Sequence, residues 1–280
     1  MQKKDSSQLI EQGIPLSLTV VSFLFFSFVI YYVIFILNKI SSQDILTKIY
    51  LSDVLVGFTI YLKTSVDFAI FIGNLMSSYP GWKNRIAIEI GTAGGNALGT
   101  IMILVIWNFF RSVEWLLALM ILLAALVLFK LAQDGLEHTG NKGRNLPLLF
   151  QPSAHIIEFF LQTINKITQP ILNRILPQIS MKPGVSKTWS GLFLSSLTIP
   201  FILGLDDFAG YVPIFNIVNV FGFSIGVLFG HMVLNIFLFI SPQRTIKVVK
   251  NPLVSFFGSI AFILLGLWGL YEIIRILFIH

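Results

Sequence analysis

The sequence predicts an all-α integral membrane protein of about seven transmembrane helices, and two observations lead to that prediction. The chain has 280 residues, of which 55% are hydrophobic and only 11% are charged, whereas soluble domains carry about 25% charged residues. Several apolar runs are long enough to cross a bilayer, which takes about 20 residues in a helix. The lipid bilayer is therefore the expected solvent and partner of this chain.

The composition also excludes several classes of protein. The chain has no cysteine, which removes disulfides, thiolate metal sites and thiol redox chemistry. Its net charge of +6 is scattered among connecting segments and forms no basic face for a nucleic acid. Because no phosphate loop, nucleotide turn or hydrolase triad occurs, we expect neither an enzyme nor a bound cofactor. A homo-oligomer is compatible with this sequence.

Seven segments of the chain qualify as membrane-spanning helices. The uncharged run from Phe208 to Gln243 is too long for one span at about 1.5 Å per residue, so we expect it to break near Pro213. The predicted segments are 15–38, 53–78, 88–110, 113–133, 189–211, 214–240 and 253–275.

Basic residues indicate how these segments cross the membrane. With seven passes, fourteen Lys and Arg residues fall on one side and four on the other. The positive-inside rule then places the N-terminus in the cytoplasm and the C-terminus outside, in a plasma (inner) membrane. Apolar residues recur at helical spacing in the long connection 136–188. This pattern fits an amphipathic helix on the inner leaflet and fits equally a linker helix packed on the bundle.

The second and fifth segments share a short motif that indicates an internal repeat. Asp-Phe-Ala occurs at 67–69 and again at 207–209, and the segments that follow carry glycines at four-residue spacing, Gly95 and Gly99 in one and Gly222, Gly226 and Gly230 in the other. Three passes per copy make the two copies inverted, as in many secondary transporters. The predicted organisation is a leading helix (1–45), a first three-helix repeat (46–135), a cytoplasmic amphipathic connection (136–188) and a second three-helix repeat (189–280).

Acidic residues inside these apolar segments are the first candidates for function. An ionised carboxylate in hydrocarbon costs about 2.5–3.5 kcal/mol on insertion scales, so Asp67, Asp206 and Asp207 need water, a cation or a partner. Oxygen ligands without cysteine suit a hard or borderline metal ion. We therefore predict a metal site at Asp67 and Asp207, with Asp206 pointing elsewhere. The alternative is an ion pair of Asp67 with Lys63, four residues earlier.

Other polar residues in the segments are weaker candidates. Asn74 lies two turns after Asp67, and Asn96 lies in the glycine-rich third segment. His231 and Asn235 lie in the sixth, and each of these four is as compatible with interhelical hydrogen bonding as with ligand binding. Glu89, near a segment end, is expected to reach the membrane interface. The four histidines do not cluster along the sequence, so no histidine-based zinc site is expected.

Part of the chain resembles a known family. The stretch SVDFAIFIG at 65–73, followed by Tyr79-Pro80 and by RIAIEIG at 85–91, resembles the tellurium-resistance TerC family of the LysE-like transporter superfamily. The resemblance covers roughly 50–135 and 189–275, with Phe68 where the family usually has Asn. It implies three-helix repeats in which one acidic residue of each repeat binds the ion, at Asp67 and Asp207 here.

These observations lead to an expected function. We expect export of a divalent metal cation by alternating access, with protons competing for the carboxylates. One alternative is a LysE-like exporter of an amino acid or another small organic solute. The other is a non-transporting membrane scaffold that recruits partners through its 136–188 connection.

Overall fold

A computed structural model of the chain describes residues 2–41, 43–137, 139–140, 143–175, 188–215 and 218–278. Within these ranges, side chains are described except at 2–12, 171–175, 203–210 and 213. The predicted all-helical class is confirmed for the described residues, which contain no β-strand. The helices are α1 (Gln2–Ile40), α2 (Leu51–Thr64), α3 (Val66–Ser78), α4 (Trp82–Phe110), α5 (Glu114–Glu137), α6 (Gln151–Ile175), α7 (Trp189–Tyr211), α8 (Val220–Ile240), α9 (Pro242–Val249) and α10 (Pro252–Phe278).

Among the described residues, five helices are long and apolar enough to cross a membrane, and six if α2 and α3 form one span. The five are α4, α5, α8, α10 and the Gly13–Ile40 part of α1. Helix α7 has the bounds predicted for the fifth segment, and its described apolar part is Trp189–Ile202. The chain is therefore a multi-pass membrane protein. Large apolar side chains are exposed on α1, as expected for a helix in contact with lipid. Among them, Leu24 and Phe28 are 61% and 66% exposed.

The second predicted span is not one continuous helix. Helices α2 and α3 meet at Ser65 with a bend of 65°. The hydroxyl of Thr64 donates to the carbonyls of Ile60 and Tyr61, at 3.2 Å each. Bonding of a threonine side chain to its own preceding turn competes with the helical ladder and bends helices. The segment predicted over 53–78 is therefore a pair of helices, which together are long and apolar enough for one bent span.

The expected break before the sixth segment is confirmed. Helix α7 ends at Tyr211 and a 3-10 turn follows at Val212–Ile214. Helix α8 then starts at Val220, six residues later than the predicted start of its segment. The side chain of Asn219 caps it by accepting hydrogen bonds from the backbone N–H groups of Phe221 and Gly222, at 3.0 and 3.1 Å.

The chain forms two compact units. The first contains α1 to α4, most of α7, and α8 with the start of α9; the second contains α5, α6, the end of α7 and α10. In the first unit, glycines let α2 and α8 pack backbone to backbone. A Cβ at Gly226 would overlap the carbonyl of Val54, and one at Gly57 would overlap the carbonyl of Phe223. The glycine spacing of the sixth segment therefore marks a helix-packing surface, as the sequence suggested.

The second unit is built around α5 and α10. A Cβ at Gly266 on α10 would lie 2.8 Å from the Phe129 ring, so the ring of this buried residue rests on the glycine. Helix α6, from the predicted amphipathic connection, packs on α5 through Leu161 and Asn165. Its opposite side leaves large apolar side chains exposed, among them Phe159 at 70%. The expected packing of this connection on the bundle is therefore confirmed for α6 and α5, and its position on the inner leaflet stays a prediction.

Candidate functional site

A group of polar side chains is buried among three helices of the first unit. Tyr61 comes from α2, Glu89 and Thr92 come from α4, and His231 and Asn235 come from α8. Glu89, Thr92 and Asn235 are fully buried, and the other two are at most 3% exposed. We call these five residues the Glu89 cluster.

Hydrogen bonds connect the cluster from one end to the other. The amide nitrogen of Asn235 donates to Glu89 Oε2 at 2.7 Å and to Thr92 Oγ1 at 3.1 Å. The same nitrogen lies 3.1 Å from His231 Nε2, and His231 Nδ1 lies 2.9 Å from the Tyr61 hydroxyl. Thr92 itself donates to the Glu89 backbone carbonyl at 3.0 Å. The result is a continuous polar chain from a carboxylate to a phenol.

Both tautomers of His231 are compatible with this chain of hydrogen bonds. Its Nε2 lies beside the Asn235 nitrogen, and its Nδ1 lies beside the Tyr61 hydroxyl, which can donate or accept. The Asn235 amide nitrogen has two hydrogens and three polar neighbours, in Glu89, Thr92 and His231. It therefore bonds to at most two of them at one time.

Two oxygen atoms of the cluster have no hydrogen-bond partner among the described residues. They are Glu89 Oε1 and Asn235 Oδ1, and both are buried. No ion pair joins Glu89 to a lysine or arginine within the described part of the chain. A buried carboxylate without a counter-charge is costly unless it is neutralised. A proton or a metal cation bound between these oxygens would neutralise it.

Apolar and aromatic groups surround the cluster. The Phe68 ring centroid lies 5.5 Å from that of His231, and the Tyr61 and His231 centroids lie 6.0 Å apart. A Cβ at Gly230 would lie 2.8 Å from Tyr61, so the absence of a side chain there makes room for the phenol ring. This packing lowers the local dielectric constant and strengthens each electrostatic interaction in the cluster.

Glu89 is also the first member of a polar stripe along α4. Glu89, Thr92, Asn96 and Thr100 are all buried and occur at spacings of three and four residues, which places them on one helix face. The stripe is about 16 Å long at 1.5 Å per residue. Asn96 Nδ2 lacks a hydrogen-bond partner among the described residues. The stripe extends polar groups along about half of the roughly 30 Å hydrocarbon thickness.

Comparison with known protein families, with curated proteins and with solved structures found no match. The resemblance to the TerC family therefore stays a prediction that rests on the sequence motifs.

The residues predicted from the sequence have different surroundings. Asp67 is exposed in the first turn of α3, directly after the bend, and Asn74 is exposed two turns later. Asn96 is buried in the α4 stripe. Asp206 and Asp207 belong to α7, and their side chains lie outside the described residues. Among the described side chains, no group of three His, Asp or Glu residues lies close enough to hold a metal ion. The metal site at Asp67 and Asp207 stays a prediction.

The bend between α2 and α3 also affects the alternative role predicted for Asp67, an ion pair with Lys63. Lys63 is the penultimate residue of α2, whereas Asp67 is the second residue of α3. The predicted ion pair assumed both residues at i and i+4 of one straight helix. With a 65° bend between them, that geometry does not apply.

The sequence prediction for Glu89 was wrong. We expected it at the membrane interface because the third segment was placed at 88–110, but α4 starts at Trp82 and puts Glu89 two turns inside the helix. Three basic or polar residues, Lys83, Asn84 and Arg85, made this first turn look like a loop. Its partner Asn235 is 146 residues away in sequence, so no local pattern joins them. The i, i+4 spacing of His231 and Asn235 was the available signal.

Removing the phenol hydroxyl should weaken the cluster. In Tyr61→Phe, the buried His231 Nδ1 loses its hydrogen-bond partner, so we expect the free energy of unfolding to fall by about 1–3 kcal/mol. Chemical unfolding of the detergent-solubilised protein measures this change. Tyr32→Phe is the matched control, because Tyr32 is 55% exposed on α1. Equal losses in the two variants would contradict the assigned hydrogen bond.

Proposed function

We propose that the protein is a multi-pass membrane transporter for a cation, and that the Glu89 cluster binds the cation or the proton exchanged for it. The observation that supports this proposal is a fully buried carboxylate on a spanning helix. It is bonded to Asn235 on another spanning helix and has one oxygen without a partner. Ionisable residues within spanning helices are costly and usually serve ion pathways.

A purely structural role explains the cluster less well. Interhelical hydrogen bonds can be made by neutral amides and hydroxyls, as Thr92 and Asn235 already do. A carboxylate adds a desolvation cost that packing does not offset, because breaking or isolating a buried charge costs about 3–5 kcal/mol. The Glu89 carboxylate can bind and release a proton or a cation, whereas a glutamine amide at this position could not. Cation or proton binding therefore explains why this residue is acidic.

The substrate in this proposal is a divalent metal cation. Asp67 and Asp207 are the proposed metal ligands, one from each inverted repeat, 46–135 and 189–280. Asp67 lies directly after a helix break, and its side chain is exposed. The Glu89 cluster then binds, in alternation, the cation and the proton that it displaces. Seven spans with a cytoplasmic N-terminus in a plasma (inner) membrane complete the proposed topology.

Flux into proteoliposomes tests this function. The purified chain is reconstituted in vesicles, and uptake of Mn²⁺, Ca²⁺, Cd²⁺ and Ni²⁺ is followed with a dye enclosed in the vesicle. We expect uptake of at least one ion, and its loss in both Asp67→Asn and Asp207→Asn. Asp44→Asn is the control, since Asp44 is exposed in the segment between α1 and α2.

Two results would contradict the proposal. Vesicles that take up none of these ions faster than empty vesicles would exclude metal transport under these conditions. Uptake that is the same in Asp67→Asn, Asp207→Asn and Asp44→Asn would remove the two predicted ligands from the mechanism.

A further inference from the structure

A polar cavity lies between α5 and α6 in the second unit. Its volume is about 250 Å³, smaller than the roughly 300–1,000 Å³ of pockets for drug-sized ligands. Helix α5 contributes Lys130, Asp134 and Glu137, at spacings of four and three residues, and α6 contributes Asn165 and Lys166. Two positive and two negative side chains therefore line one small cavity.

Asn165 makes this cavity a fixed structure. It is only 9% exposed, and its amide nitrogen donates to the Phe129 carbonyl at 3.2 Å and to Gln133 Oε1 at 2.6 Å. These bonds hold α6 against α5. The amide oxygen of Asn165 is buried and has no hydrogen-bond partner among the described residues. Asn165 therefore fixes the position of α6 that shapes this cavity.

The surroundings of the cavity place it beside lipid. Helix α5 is long and apolar enough to cross a membrane, and the cavity residues lie in its last two turns. On α6, Ile156, Phe159 and Ile167 are each at least 70% exposed, and Leu148 and Leu149 just before the helix are at least 80% exposed. An exposed apolar face on a helix next to a spanning segment fits burial at the headgroup boundary.

We propose that this cavity binds the headgroup of a phospholipid that carries a primary amine and a phosphate, as in phosphatidylethanolamine. Lys130 and Lys166 pair with the phosphate, and Asp134 and Glu137 accept hydrogen bonds from the ammonium group. The acyl chains extend from the cavity into the surrounding lipid. This binding site is independent of the cation site at Glu89.

The charges of the cavity also predict which headgroups are rejected. A primary ammonium donates three hydrogen bonds, whereas the quaternary ammonium of phosphatidylcholine has no N–H to donate. Phosphatidylglycerol has the phosphate without a cation, which leaves Asp134 and Glu137 beside an anion. The cavity therefore prefers phosphatidylethanolamine to both.

Lipid retention measured by native mass spectrometry tests the proposal. The full chain is reconstituted from vesicles of equimolar phosphatidylethanolamine, phosphatidylcholine and phosphatidylglycerol, extracted, and its retained lipid identified. We expect phosphatidylethanolamine to be enriched about tenfold over each of the others, the effect of about one charge-assisted hydrogen bond. Equal retention of the three lipids in the wild-type protein would overturn the proposal without any variant.

Variants assign the preference to the cavity. Lys166→Gln should lower retention of phosphatidylethanolamine, and the double variant Asp134→Asn, Glu137→Gln should make phosphatidylglycerol bind as well as phosphatidylethanolamine. Lys247→Gln is the matched control, because Lys247 is exposed on α9 and does not line the cavity. A preference that Lys247→Gln reduces as much as Lys166→Gln does would overturn the assignment.

Discussion

Replacing Glu89 by glutamine should abolish cation flux while leaving the protein folded and inserted. Glutamine keeps the shape of the side chain and can still bond to Asn235 through its amide oxygen, but it can no longer bind a cation or exchange a proton. A loss of about 3–5 kcal/mol of interaction with a buried charge corresponds to a reduction of at least about a hundredfold. The proteoliposome assay measures the flux, and the thermal midpoint measures the fold.

Glu114→Gln is the matched control for this variant. Glu114 starts α5, is exposed, and undergoes the same chemical change. Its flux should equal that of the wild-type protein. If Glu89→Gln transported at the wild-type rate, the cluster would be a structural contact between α4 and α8, and the proposed cation site would be lost.

Adding one methyl group at Gly226 should destabilise the protein severely. The Cβ would overlap the Val54 carbonyl and would lie 2.9 Å from the Phe58 nitrogen. Both atoms belong to the α2 backbone, which cannot move aside as a flexible side chain can. We expect Gly226→Ala to lower the free energy of unfolding by about 3 kcal/mol, the upper end of the usual range for overpacking. Unfolding in detergent and the monodisperse fraction after extraction measure this effect.

The same substitution at Gly13 should not lower the free energy of unfolding. Nothing lies within 4 Å of a Cβ built at Gly13 in α1, and alanine in a helix is favoured over glycine by about 0.8–1.0 kcal/mol. Gly13→Ala should therefore be neutral or stabilising. If the two variants were equally stable, close contact between α2 and α8 would not hold these helices together.

Hydropathy was sufficient to predict the helical class and the position of most helices. Long apolar runs have few other ways to satisfy their backbone groups in lipid. The break before the sixth segment followed from the length of the uncharged run, and its position followed from Pro213. The bend at Ser65 was not predictable in this way, because Thr64 and Ser65 change the mean hydropathy of the segment 53–78 very little. At the bend, the Thr64 hydroxyl bonds to its own preceding turn, and such a bond depends on a side-chain rotamer.

The Glu89 cluster shows a second limit of sequence reasoning. The rarity of acidic residues in apolar segments directed attention to carboxylates, but it favoured Asp67, which is exposed, over Glu89, which is fully buried. The difference came from the start of α4, where Lys83 and Arg85 resembled a connecting loop. Arg85 instead lies within the helix and donates to the Phe239 carbonyl at 3.4 Å. Contacts of this kind join distant parts of the chain and are invisible to local patterns.

Labelling of Glu89 by an apolar carbodiimide, read by mass spectrometry of the modified peptide, tests the proposed cation site most directly. The reagent partitions into the membrane and reacts with the protonated carboxyl, so a cation bound at Glu89 blocks it. At a concentration about ten times the dissociation constant, the transported cation should slow Glu89 labelling about tenfold, with no change at Asp44. A labelling rate at Glu89 that is the same with and without Mn²⁺, Ca²⁺, Cd²⁺ and Ni²⁺ would contradict metal binding at this cluster.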